Sequence, residues 1–83
     1  MKTVTVLYFA AVRDLAGTPS EQLRLPDRVQ TVEQLLNHLG DEKATLKHAL
    51  GSVRVARNES FAALDEAIEE GDVLALIPPV QGG

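Results

Sequence analysis

The chain has 83 residues, 45% hydrophobic and 24% charged, which is the make-up of one folded domain, 1–83, and too apolar for a disordered segment. Twelve acidic residues against eight basic ones give a net charge of −4, so no cationic excess exists to displace counterions from nucleic acid. The absence of cysteine removes disulfides, thiolate zinc sites and cysteine nucleophiles, and a small chain without staples suits a reducing cytoplasm.

Met1 to Phe9 lacks the continuous apolar core and small-residue cleavage site of a signal peptide. No stretch approaches the length of a membrane-spanning helix, so a soluble, cytoplasmic chain without a membrane partner is expected. Residues 2–10 alternate as a strand, with Val4, Val6 and Tyr8 on one face and Thr3, Thr5, Leu7 and Phe9 on the other. Ala10 to Ala16 has helical composition, with Gly17 as its stop and Thr18-Pro19-Ser20 as a turn. Glu21 to Leu25 alternates again, a half-buried second strand ending at Pro26.

Thr31-Val32-Glu33-Gln34 is a capping-box pattern, and Val32, Leu35, Leu36 and Leu39 form an apolar stripe at helical spacing behind it. Gly40 is placed to end this helix. Lys43 to Leu50 predicts a second short helix with Leu46, Ala49 and Leu50 inward and Gly51 closing it. Val53 to Arg57 reads as a third strand, Asn58-Glu59 as a turn, and Ser60 to Leu64 as a weaker fourth strand. Asp65 to Glu70 is acidic and irregular, and Glu70-Gly71-Asp72 turns into Val73–Ile77, an apolar run expected to be a strand buried on both faces. Pro78-Pro79 stops it, because neither proline can donate a ladder hydrogen bond.

The first and last strands are the most apolar. A mixed sheet with those two at its centre and one main helix across one face buries every apolar stripe, which is the α+β, β-grasp arrangement. Leu7, Phe9, Ala75 and Ile77 would then face away from the helix, joined by Phe61, as an apolar surface for a partner unless a second helix or loop covers them.

Residues 78–83, Pro78, Pro79, Val80, Gln81, Gly82 and Gly83, are expected to form an extended tail, which would reach roughly 20 Å. Two final glycines carry no Cβ, so such a backbone passes a narrow channel. The carboxylate at Gly83 has no steric shield. A carboxylate resists nucleophiles until a partner converts it to an acyl adenylate; sulfur attack would then leave a thiocarboxylate, a soft nucleophile on an arm. Such a carrier needs no catalytic side chain, only positioning. A diglycine end alone also fits a frayed terminus; the buried strand and the proline pair before it make the pattern more specific.

The ending Gly71-Asp72-Val73 through Ile77-Pro78-Pro79-Val80-Gln81-Gly82-Gly83 resembles the family of small, sulfur-carrying subunits of molybdopterin synthase. The opening Leu7-Tyr8-Phe9-Ala10-Ala11-Val12-Arg13-Asp14 with Gly17, and the segments Thr31-Val32 and Val55-Ala56-Arg57-Asn58, resemble it too. The resemblance implies a ubiquitin-like β-grasp fold and a terminal glycine, here Gly83, that is adenylated by a ubiquitin-activating-type adenylyltransferase using ATP and magnesium. A sulfur donor protein then makes the thiocarboxylate. The tail enters the large catalytic subunit of the synthase and gives sulfur to cyclic pyranopterin monophosphate, within a heterotetramer. The chain itself would bind no cofactor.

Arg13, in the family-like Ala-x-Arg stretch, is a candidate for pairing with an acidic partner, against the alternative of a solvated arginine. His38 and His48 have no nearby ligand set and suggest no metal site, and Glu66, Glu69, Glu70 and Asp72 read as a solvated acidic loop. Two other functions stay open on the residues alone. One is a related carrier serving thiamine, cysteine or tRNA thiolation, or a protein modifier; the other is a binding-only β-grasp module with an inert tail.

Overall fold

The computed structural model describes residues 1–79; the expectations for Val80, Gln81, Gly82 and Gly83 lie outside the described residues. Five strands and two helices follow in the order β1 (Lys2–Tyr8), α1 (Ala10–Ala16), β2 (Ser20–Leu25), α2 (Val32–Glu42), β3 (Arg54–Arg57), β4 (Ser60–Ala62) and β5 (Val73–Ile77). They form one sheet in the order β2-β1-β5-β3-β4. The first and last strands pair in parallel near its middle, Val6 opposite Leu74 and Tyr8 opposite Leu76, and all other pairings are antiparallel. This is the mixed sheet of the β-grasp arrangement.

The alternation in β1 decides which face is buried. Val4, Val6 and Tyr8 are buried with Leu74, Leu76 and Val55, and Val32, Leu35, Leu36 and Leu39 of α2 pack into the same cluster. A β-strand sends successive side chains to opposite faces and a helix presents one stripe, so these two periodicities meet in a single core. The capping box at Thr31 is complete: the Gln34 backbone N–H donates to Thr31 Oγ1 (3.2 Å), and Gln34 Oε1 accepts from the Thr31 N–H (3.2 Å).

Several boundaries differ from expectation. β1 stops at Tyr8 rather than continuing through residue 10, because Phe9 becomes the N-cap of α1. Gly40 does not end α2. It lies buried inside the helix, which closes at Lys43 through an N–H donated to Leu39 O, with Lys47 and Leu50 packed beside it at ordinary contact distances from where a Cβ would sit. The short helix expected over Lys43 to Leu50 is two separate 3-10 turns, Ala44–Leu46 and Ala49–Gly51, although Leu46 and Leu50 do point inward. The fourth strand ends at Ala62, because Leu64 and Glu66 turn away to accept hydrogen bonds from the first N–H groups of α2. β5 is not buried on both faces: Leu74 and Leu76 are fully buried, but Val73 is 37% exposed and Ala75 and Ile77 are half-buried.

Candidate functional site

The half-buried side of β5 defines a surface. Strand register places Leu7 opposite Ala75, Ala75 opposite Ala56, Ile77 opposite Arg54, and Ala56 opposite Phe61. These residues share the face away from α2. An apolar strip therefore crosses the sheet from β1 to β4, ending at Phe61, which is 60% exposed. The Arg54 guanidinium lies over the Phe61 ring, 4.1 Å from its centroid. A cation over an aromatic face holds the ring in place while leaving its other side open. Phe9, 45% exposed, follows Tyr8 as Ile77 follows Leu76, so it lies at the same end of the sheet.

Three of the four expected partner residues thus belong to one region. Ile77 and Phe61 face the same side, two strands apart, and Phe9 stands at the neighbouring strand end. Arg13 is separate from them in the sheet; it is exposed on α1, where its carbonyl accepts the N–H of Gly17, the left-handed C-cap. Pro78 is half-buried and Pro79 exposed directly after Ile77, so the chain leaves the sheet beside the apolar strip.

A groove of about 740 Å³ runs between α2 and the β3–β4 pair, floored by Leu36, Leu50 and Val55 and sharing Arg54 and Phe61 with the strip. Glu33, Asp41 and Lys47 also line it.

The acidic stretch is not simply solvated, and here the expectation is corrected. Arg57 Nε donates to Asp72 Oδ2 (2.7 Å), Nη1 to Glu66 (3.2 Å) and Nη2 to Glu69 (3.5 Å). Asp72 is 6% exposed and also accepts from the Asn58 side chain (2.9 Å) and the Glu69 N–H (2.7 Å). Burial pushes the Asp72 carboxyl up, but the hydrogen bonds from Arg57, Asn58 and the Glu69 N–H outweigh it and hold the group below the usual carboxylate range. The bonds it donates to Asp72 and Glu66 raise the Arg57 guanidinium in turn. Arg57 has the parity of Val55, hence the helix side of the sheet, and the cluster ties the β3–β4 turn to the loop that enters β5. A strand arginine on the inward parity was the signal available in the sequence; its partners, nine to fifteen residues away, were not. Tyr8 is a second buried polar group: its hydroxyl donates to Glu21 Oε1 (3.0 Å), and Glu21 is paired with Lys43 (3.4 Å). Burial first, and that hydrogen bond second, push the Tyr8 phenol far above its ordinary range.

Comparison with known proteins agrees with this geometry. The ThiS family matches residues 6–83. A molybdopterin synthase sulfur carrier subunit of Haemophilus influenzae is 35% identical, over 96% of this chain and 99% of its own. Among solved structures, small archaeal modifier protein 1 of Haloferax volcanii superposes with a TM-score of 0.82 at 29% identity, covering 96% of this chain and 100% of that one. A chain from the Helicobacter pylori complex of molybdopterin-converting factor subunits 1 and 2 superposes with a TM-score of 0.70 at 27% identity, covering 98% of this chain and 99% of that one. With a matched span that takes in nearly the whole sequence, and a β-grasp sheet whose last strand leads into the diglycine ending, the chain belongs to the ThiS family.

Proposed function

We propose that this chain is the sulfur-carrying subunit of a molybdopterin synthase, acting in the cytoplasm through Gly83. The observation that carries the reading is a family match over residues 6–83, which takes in the sheet and the Pro-Pro-Val-Gln-Gly-Gly ending, together with the likeness to the Haemophilus carrier subunit over 96% of this chain. The chemistry requires little of the carrier. A ubiquitin-activating-type adenylyltransferase, using ATP and magnesium, joins the Gly83 carboxylate to AMP and releases pyrophosphate. Hydrosulfide released by a donor protein attacks the acyl carbonyl, breaks its bond to AMP and leaves the thiocarboxylate. The tail residues Pro78 to Gly83 then carry that sulfur into the large catalytic subunit and to cyclic pyranopterin monophosphate, and hydrolysis returns the carboxylate. Two deliveries complete a dithiolene. No side chain of this chain takes part in bond making; its task is to hold the arm in place.

The apolar strip is the docking surface for the large subunit in this reading, with Ile77, Phe61 and Phe9 as apolar anchors and Arg13, apart from the strip on α1, as a separate candidate for an acidic partner group. An aromatic anchor braced by a cation has the character of an interface hot spot. A protein-modifier role is the second reading, favoured by the likeness to the Haloferax protein.

The test is intact-mass measurement after incubation with the cognate adenylyltransferase, MgATP and a sulfur donor, followed by addition of the large subunit and precursor. Exchange of one oxygen for sulfur at Gly83, then molybdopterin formation, is expected, and one extra residue after Gly83 abolishes both. Undiminished molybdopterin from the extended chain refutes the reading. Conjugates to lysines of other proteins, without molybdopterin, transfer the assignment to the modifier role.

A further inference from the structure

Among the described residues, three non-glycine residues adopt a positive φ: Ala10 (49°), Asn58 (50°) and Glu59 (74°). The last two form the two-residue β3–β4 hairpin, where the right-handed twist of the strands selects that backbone. Ala10 has no such reason. It is the first residue of α1, where an ordinary helix start has a negative φ, and it is exposed, so no packing constraint asks for a small side chain there.

The neighbours on either side explain what holds it. Tyr8 is buried, its N–H donating to Pro19 O (2.8 Å) and its hydroxyl to Glu21. Val12 is buried in the core, and its N–H and that of Arg13 both donate to the Phe9 carbonyl (3.0 and 3.3 Å). Between these two fixed points the chain must leave an extended strand and enter a helix within three residues. Phe9 keeps the extended backbone (φ −121°, ψ 147°), and the whole change of direction falls on Ala10. Strained conformations of this kind persist only where the surroundings over-determine them, and they collect at functional positions.

We propose that Ala10 is a positioning residue for partner docking: its left-handed backbone fixes Phe9, uncovered, at the end of β1 beside the tail exit. The inference rests on the assignment of Phe9 to the surface that meets the large subunit. A residue that resists positive φ at position 10 shifts the Phe9–Val12 segment toward other arrangements, and partner affinity falls in proportion to the fraction that stays competent.

The test compares four full-length variants with the parent for affinity toward the cognate large subunit and for thermal unfolding. Ala10→Val, β-branched and so the least tolerant of positive φ, is expected to weaken binding about tenfold, equivalent to about 1.4 kcal/mol. Gly17→Ala strains the other end of the same helix, at φ 79° with no atom near its new Cβ. It is expected to lower the unfolding midpoint while leaving affinity within twofold. A chemically synthesised chain with D-alanine at position 10, for which positive φ is the favoured hand, is expected to unfold at a higher temperature and bind as well as the parent. Phe9→Asp is expected to abolish binding. Wild-type affinity in Ala10→Val, equal losses in Ala10→Val and Gly17→Ala, or weakened binding by the D-alanine chain would each overturn the proposal. Full binding by Phe9→Asp would instead remove the docking assignment beneath it.

Discussion

Replacing Asp72 with Asn tests how the start of β5 is held. The substitution keeps size and shape but removes the charge that accepts Arg57 Nε at 2.7 Å and the Glu69 N–H at 2.7 Å. Charge-assisted hydrogen bonds contribute about 1.5–3 kcal/mol each where both partners are shielded. Two features reduce that figure. Arg57 retains Glu66 and Glu69, and with three carboxylates around one guanidinium, loss of one relieves like-charge repulsion. A net loss of about 2–3 kcal/mol follows, against the ~4–12 kcal/mol expected for a domain of this size. The unfolding midpoint of Asp72→Asn should fall by about 10–20 °C. The pH dependence fixes the cause. A carboxyl whose folded pKa is depressed contributes stability that is present above its unfolded value, 3.8, and is lost as pH falls through the folded value, because the unfolded chain then binds more protons. Equilibrium urea unfolding between pH 7 and pH 2.5 should therefore show the parent's advantage over Asp72→Asn as constant at neutral pH and shrinking below pH 4. A midpoint within two degrees of the parent, or an advantage that does not shrink in acid, refutes the reasoning.

Two further predictions concern α2. Gly40→Ala should stabilise the protein by about 0.5–1 kcal/mol, because the new Cβ meets Lys47 and Leu50 only at ordinary contact distances of 3.7–3.8 Å; a lower urea midpoint would show that the helix cannot accommodate the methyl. Thr31→Ala removes one half of the capping box and should cost about 1 kcal/mol, read as a lower urea midpoint with an unchanged slope.

What the sequence disclosed follows the range of the interactions involved. The capping box at Thr31, the left-handed stop at Gly17 and the alternation of β1 depend on residues within a few positions, and each was legible. The β5 run was legible as a strand but not in its burial: Val73-Leu74-Ala75-Leu76-Ile77 looks the same whether its second face is covered by protein or kept for a partner. Gly40 misled because the usual helix-ending role of glycine competes with close packing, and which applies depends on where Lys47 and Leu50 fall. The Arg57 cluster joins residues from three segments, and no local pattern marks charges that will meet. At the candidate site, Ile77 and Phe61 followed from strand parity, whereas Arg54 over the Phe61 ring and the backbone of Ala10 had no signature in residue type.

The parallel pairing of β1 and β5 has a consequence for how such a chain would serve as a carrier. Parallel neighbours end at the same edge of a sheet, so Phe9, Ile77 and the exit at Pro78 are brought together by topology rather than by any special contact. Among the described residues the helices cross one face only, and the other face of that same edge carries no helix. At its opposite end β5 is locked, with Asp72 held by Arg57 and Asn58 and Val73 donating its N–H to the Asn58 side chain at 2.9 Å. Ladder bonds to β1 on one side and β3 on the other run along its length. They stop where proline removes the donor. Under the proposed function, a partner gripping the outer face of β5 would hold the root of the tail, Ile77 and Pro78, through a strand that cannot slide, and the sequence beyond it would be delivered close to that partner. Such tethering would raise the effective concentration of the tail at the partner without any contact to the reacting group.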